Sequence, residues 1–232
     1  MNDNGMERTR LLVGDHGVER LRRARVLVLG LGGVGAFAAE FLVRAGVGAL
    51  KLVDGDVVSD SNRNRQLIAL VSTLGEAKAE VLRRRLLDIA PDVQIEAVNR
   101  FIEPEDIPEL LFGDFDFVVD AIDSVRTKAA LIAYCCERAL PLVSSMGAGG
   151  RVDMERIKLA RLSKTHDCGL ARAVRRRLRE IGSPADPPAV FSPELARGGL
   201  CVSDSRPGTI SYLPAAFGAR CAQAAIEHLL EK

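Results

Sequence analysis

Tryptophan is absent from this chain, and aromatic residues make up 4% of its 232 positions. So few rings cannot supply the stacking platforms on which single-strand nucleic-acid binders rely. An excess of charge is lacking too: Lys and Arg total 32, Asp and Glu 31, and the net charge is +1. That balance excludes a global attraction to polyanions, so any nucleic-acid contact must be a local patch. No apolar run approaches a membrane span, because Gly and Ala interrupt even the richest stretches. The N-terminal MNDNGMERTR is polar with no apolar core behind it, which predicts no signal peptide. Cysteine pairs are missing as well. Cys135, Cys136, Cys168, Cys201 and Cys221 are odd in number and irregular in spacing, with no C-x-x-C. This argues for a reducing cytoplasm and against a structural zinc. His16, His166 and His228 have no constellation around them.

What is present centres on Arg25 to Asp56. Val26 to Leu29 is a short Val-rich run that predicts a buried strand. Gly30-Leu31-Gly32-Gly33-Val34-Gly35 follows at once, and Ala36 to Ala45 predicts a helix with Phe37, Phe41 and Leu42 at core spacing. Gly46 and Gly48 end it, and Leu50 to Val53 predicts a second strand with Asp54 at its C-terminal end. Glycines let backbone N–H groups approach a phosphate with no Cβ in the way. The helix start adds unpaired N–H groups and a partial positive charge. An acid at the end of the next parallel strand can accept hydrogen bonds from ribose hydroxyls. Together these predict a bound nucleotide; a dehydrogenase carries the same fingerprint, so its kind stays open here.

Around this stretch the chain alternates strands and helices. Glu7 to Arg23 predicts a short N-terminal segment and one helix; Arg8 and Arg10 precede the helix and on charge alone are surface groups. Residues 55 to 66, including Asp56, Asn62, Arg65 and Gln66, form a polar segment on the C-terminal side of the second strand. That edge of an open parallel sheet faces the ligand crevice, and Arg65 can be bidentate to phosphate. A solvated loop is the competing account. Gly75 to Ala90 is amphipathic through Ala77, Val81, Leu82, Leu86 and Ile89. Lys78 falls in its first turn, where a cation opposes the helix dipole unless an anion is near. Val93 to Val98 predicts a strand, Pro104 to Leu111 a short helix and Phe115 to Val119 another buried strand. Asp123 then emerges on the edge shared by Gly30 and Asp54, and Ser124 caps a helix running to Arg138. Pro141 to Ser145 predicts a strand ending in Met146-Gly-Ala-Gly-Gly150, a backbone wall against a ligand or a plain turn. Ile157 to Leu162 predicts a strand. Asp167 to Ile181 predicts a basic helix with Arg172, Arg175, Arg176, Arg177 and Arg179, either a solvated face or an RNA-backbone contact. Gly182 to Pro188 reads as a loop, and Pro214 to Leu230 as a C-terminal helix. The order predicts an α/β fold: a Rossmann-like, doubly wound, mainly parallel sheet with a small C-terminal α/β extension. A Gly-rich turn with Arg65, Lys78, Asp54 and Asp123 on one edge suits a magnesium-loaded nucleoside triphosphate better than a dinucleotide.

These residues resemble the superfamily of ubiquitin-activating enzymes and of the adenylyltransferases of molybdopterin and thiamine synthesis. The likeness covers the Gly-rich turn, Asp54, the Asn-x-x-Arg-Gln of Asn62, Arg65 and Gln66, the Gly-x-x-Lys-Ala containing Lys78, and Asp123. It implies ATP and Mg as ligands. Gly30, Gly32, Gly33, Gly35, Asp54, Asp56, Asn62, Arg65, Gln66, Lys78, Asp123 and Ser124 are then the binding set. It further implies that Arg65 and Lys78 bind the triphosphate, that Asp123 holds the metal, and that Arg10 reaches into a neighbouring subunit's site, making a homodimer. Asp120 to Arg126, Lys128 to Cys135, Gly147 to Gly150, Leu162 to Thr165 and Val190 to Glu194 are similar to the tRNA threonylcarbamoyladenosine dehydratases. That branch implies a tRNA substrate and carboxylate adenylation followed by cyclisation, needing no enzyme nucleophile, so Cys168 and Cys201 are optional. The alternative is activation of the C-terminus of a ubiquitin-like or sulfur-carrier protein, and sulfur-transfer partners of the cysteine desulfurase type are also candidates. The expected division is an N-terminal segment over 1–24, an ATP-binding core over 25–150, and a C-terminal extension over 151–232 on the substrate side.

Overall fold

Val26 and Val28 point to one side of the first strand and Leu27 and Leu29 to the other, and each pair joins a separate apolar layer. A strand buried on both faces is what a central position in a parallel sheet requires. The computed structural model describes residues 4–197 and 207–231. Its sheet holds β1 (Arg25–Leu29), β2 (Ala49–Val53), β3 (Gln94–Val98), β4 (Phe117–Asp120), β5 (Leu142–Ser145), β6 (Lys158–Arg161) and β7 (Pro188–Phe191). The strand order is β3-β2-β1-β4-β5-β7-β6, and every pairing is parallel except β6 with β7. The order reverses between β1 and β4, so a crevice opens beyond their C-terminal ends.

The helices are α1 (Glu7–Arg23), α2 (Gly35–Ala45), α3 (Lys78–Ile89), α4 (Ile107–Leu110), α5 (Val125–Glu137), α6 (Gly169–Glu180) and α7 (Tyr212–Glu231). Helices α2, α3 and α7 cover the face carrying Val26 and Val28; α4, α5 and α6 cover the other. Helix α1 kinks at Gly14, whose φ is +72°. Its Met6 flank packs on Gly46 and its Arg22 on Gly48, so it lies at the end of the sheet away from the Gly30–Gly35 turn. Among the described residues no helix is long and apolar enough to cross a membrane.

Several local expectations shift. Phe41 is 38% exposed, and the buried side of α2 is instead Ala36, Ala38, Ala39, Leu42 and Val43. Small residues serve there because α7 passes close: a Cβ on Gly218 would lie 2.5 Å from the Val34 carbonyl oxygen. The helix expected from Gly75 begins at Lys78, because Gly75 has φ +84° and Ala77 is extended in a bridge to Val57. Strand β7 begins at Pro188, the last residue of the expected loop, and was not foreseen; four residues behind a Pro-rich lead give no usable period. Helix α6 starts at Gly169, since Asp167 has a positive φ of 53°. Helix α7 starts two residues before Pro214, which sits in its first turn.

Candidate nucleotide site

The Gly30–Gly35 turn is closed by contacts that admit no side chain. Gly30 has φ +84°, and a Cβ there would lie 2.6 Å from Ala121 O. A Cβ on Gly35 would collide with Gly30 O. The turn therefore sits flush against the end of β4, and its backbone faces the crevice at the start of α2.

Asp54 directly follows β2, at the C-terminal end expected for it, and its carboxylate ties this turn to the following loop. Oδ2 accepts the Leu31 N–H at 2.6 Å and Oδ1 accepts the Asp56 N–H at 2.8 Å. Burial pushes the Asp54 carboxyl above its ordinary value, against the pull of those two N–H groups and of the Lys78 ammonium. Lys78 is the first residue of α3 and is 4% exposed. Its Nζ lies 2.8 Å from Asp56 Oδ2, and its N–H donates to Asp56 O at 3.0 Å. The anion that a cation at a helix start needs is thus supplied by the chain itself.

The loop after Asp54 folds back over the glycines. Asn62 is buried, and its Oδ1 accepts the Ser59 N–H at 3.1 Å, capping the turn Asp60–Asn62. Within the chain Asn62 shapes this loop. Arg65 lies beside Gly33 and is held by Ser61 O at 2.9 Å and Asn64 Oδ1 at 2.8 Å. The Gln66 amide faces Gly32, and its buried Oε1 has no hydrogen-bond partner among the described residues. A buried amide oxygen left so is a position where a ligand donor fits.

Across the crevice, Asp123 follows the end of β4, is exposed, and makes no hydrogen bond or ion pair with another described residue. Ser124 caps α5, its Oγ accepting the Thr127 N–H at 3.5 Å. A single carboxylate at the crevice suits a hard cation, such as magnesium, that keeps water and phosphate oxygens as its other ligands. Among the described residues there is no group of three or more His, Cys, Asp or Glu that could hold a metal without such help. Arg10 is not brought to this site within one chain. It pairs with Asp15 at 2.8 Å on α1, at the other end of the sheet.

Among the described residues, Cys135, Cys168 and Cys221 are buried and present no nucleophile to the crevice. Burial pushes the Cys135 and Cys221 thiols up to about 12, and Cys168 is buried. Cys201 lies outside the described residues. His166 pairs with Asp167 at 2.9 Å on the exposed surface.

Two buried polar groupings were not legible beforehand. Asp120 and Lys128 form a pair at 2.8 Å with both side chains fully buried, joined by Ser144. Arg151, 5% exposed, donates to Gly147 O at 2.6 Å, Glu194 O at 2.9 Å and Asp167 O at 3.0 Å. It fastens the second glycine-rich turn from behind. The Glu194 carboxylate accepts the Asp153 and Val152 N–H groups at 2.8 and 2.9 Å, which hold it below the usual range. A charged residue directly after a Gly-Gly pair was the available signal for Arg151.

The same pattern recurs in known proteins. The model of the ThiF family matches residues 6–232. The chain belongs to the ThiF family. It is 42% identical over 187 residues to a tRNA threonylcarbamoyladenosine dehydratase of Bacillus subtilis, covering 81% of this chain and 74% of that one. It is 43% identical over 171 residues to the protein of the same name from Escherichia coli, covering 74% of this chain and 64% of that one. A solved structure of the E. coli dehydratase in complex with ATP superposes with TM-score 0.91 at 35% identity, over 99% of this chain and 96% of that one. The α/β architecture with its mostly parallel sheet is thus that of the ATP-complexed relative.

Proposed function

We propose that this protein is an ATP-dependent tRNA threonylcarbamoyladenosine dehydratase. The observation that carries the reading is the buried Lys78 ammonium beside the glycine turn, with Arg65 on the same loop layer and opposite them the exposed Asp123 carboxylate, which pairs with no other described residue. Two cations and one carboxylate around exposed backbone N–H groups suit a magnesium triphosphate. The likeness to the dehydratase bound to ATP supports the same substrate.

The threonyl carboxylate of the modified adenosine attacks the α-phosphorus of ATP. The bond to the bridging oxygen breaks, and pyrophosphate leaves with the electron pair. Lys78 and Arg65 hold the triphosphate and take up charge developing on the leaving group. Asp54 orients the ribose, and its hydrogen bonds to Leu31 and Asp56 keep the turn and the loop in register. Asp123 would hold a magnesium ion, which would neutralise phosphate charge when bound. The acyl-adenylate then closes on the substrate's own ureido group, AMP leaves, and the nucleoside has lost one water. Because the second nucleophile is already tethered, proximity replaces an enzyme nucleophile. This accords with the inert buried thiols.

The protein works as a homodimer in the cytoplasm, with Arg10 entering the partner's site. Helix α6 contacts the tRNA backbone through Arg172, Arg176 and Arg179, which are exposed on it. The deciding experiment incubates the protein with ATP, magnesium and tRNA carrying threonylcarbamoyladenosine, measures pyrophosphate, and digests the tRNA for mass spectrometry. Pyrophosphate release together with loss of one water from the nucleoside is the expected result. Release that instead requires a carrier protein ending in Gly-Gly would move the function to carrier activation.

A further inference from the structure

The buried pair of Asp120 and Lys128 lies outside the set of groups used above, and its geometry leads to the metal-facing acid. Asp120 is the last residue of β4, and both side chains of the pair are fully buried. Asp120 Oδ2 faces the Lys128 Nζ at 2.8 Å and accepts the Ser144 hydroxyl at 2.5 Å. Those two partners fix the carboxylate plane and leave Oδ1 to accept the Ile122 N–H at 3.1 Å. Lys128 also donates its own N–H to Ser124 O at 2.9 Å. Asp123 therefore sits between two anchors, Ile122 before it and Ser124 after it, and both lead to Lys128. From the other side Ala121 is clamped, its N–H donating to Leu29 O at 2.9 Å and its carbonyl lying against Gly30.

A fully buried ion pair contributes little net stability compared with apolar side chains of similar volume. What it supplies here is a fixed direction for one hydrogen bond. We infer that Asp120 and Lys128 are positioning residues, which hold the turn at Ala121 and Ile122 so that the Asp123 carboxylate meets a divalent cation on bound ATP. The inference rests on the proposed metal role of Asp123 and deepens it. Partners behind a metal ligand commonly alter metal affinity about 10–100-fold when removed.

The test measures Mn2+ affinity by electron paramagnetic resonance with a non-hydrolysable ATP analogue bound, alongside thermal unfolding. Asp120→Leu combined with Lys128→Met removes both charges and the acceptor for Ile122. Asp120→Asn combined with Lys128→Met is neutral but restores an oxygen acceptor. The Leu/Met variant is expected to bind Mn2+ about tenfold more weakly, and the Asn/Met variant to recover to within about threefold of wild type. A purely structural role would lower the unfolding temperature of both without this recovery, and that result overturns the inference. Asp123→Asn is the control. Loss of Mn2+ binding there with unchanged binding in the Leu/Met variant overturns the positioning role alone; unchanged binding in both overturns it together with the metal role. Should the Leu/Met protein not fold, amide exchange in the wild type decides. Strong protection of the Ile122 N–H supports the clamp, and exchange at the rate of an unstructured amide overturns it.

Discussion

The Lys78 ammonium lies 2.8 Å from Asp56 Oδ2, with Lys78 4% exposed and the Asp56 side chain 55% exposed. The buried cation is thus neutralised by an acid that water can reach. That asymmetry suits exchange: phosphate oxygens can take over the ammonium while Asp56 turns to solvent. Substituting Asp56→Asn removes the neutralising charge while the ammonium stays buried. The cost in the absence of nucleotide is expected to be about 1–2 kcal/mol, below that of breaking a fully buried pair because Asp56 is half exposed. Saturating ATP should then raise the unfolding temperature of the variant more than that of the wild type. Calorimetric unfolding with and without ATP checks this, and equal shifts would mean that phosphate does not reach Lys78.

Asp123 is exposed and pairs with no other described residue, so its removal should leave the fold intact. The expectation for Asp123→Ala is an unfolding temperature within a few degrees of wild type, with magnesium-dependent pyrophosphate release lowered on the order of 10²-fold or more. Pyrophosphate assays across a magnesium series decide it. Normal turnover in that variant would remove the acid from the proposed mechanism.

The crevice was readable because each part carries a local signature. A Val-rich run, then glycines, then an acid closing the next run allows few backbone arrangements, and β1, the turn and Asp54 lie as expected. Asp123 was readable for the same reason, as a polar residue just past a buried strand. The remainder depends on tertiary contacts that no local period encodes. Phe41 matched a helical stripe, yet α7 crowds α2 so closely that alanines take the interior. The burial of Lys128 follows only once α5 is laid on the sheet over Asp120. Strand β7 owes its existence to the open edges of β5 and β6, which it joins.

Arg10 tests the assembly. In one chain it pairs with Asp15 at 2.8 Å, on a helix at the far end of the sheet from the glycine turn. If it serves a neighbouring site, Arg10→Ala and Asp123→Ala each disable every site in their own homodimer. Mixing the two in equal amounts under subunit exchange creates heterodimers with one site bearing both changes and one bearing neither. Recovery of about a quarter of wild-type turnover is then expected for free exchange in a twofold dimer. A mixture as inactive as its components, with exchange verified by native mass spectrometry, would confine Arg10 to its own chain.

Asp54 gives the site a pH signature in the absence of ligand. Burial raises its carboxyl above the ordinary 3.8, and the Asp56 and Leu31 N–H groups with the Lys78 ammonium offset this in part. A group whose pKa is higher folded than unfolded adds stability below its unfolded value and loses it as pH climbs through the folded one. The Asp54 contribution should therefore be present below 3.8 and fade over the range directly above it. Asp54→Asn cannot titrate, so its stability relative to wild type should improve as pH rises from about 4 towards 7. The same variant should bind ATP more weakly at every pH, because an amide replaces the proposed ribose acceptor and holds the Leu31 and Asp56 N–H groups with one oxygen instead of two. Thermal unfolding of both proteins over that range, with ATP titrations at its ends, separates the two effects. A stability gap independent of pH would mean that this carboxyl is as well solvated folded as unfolded.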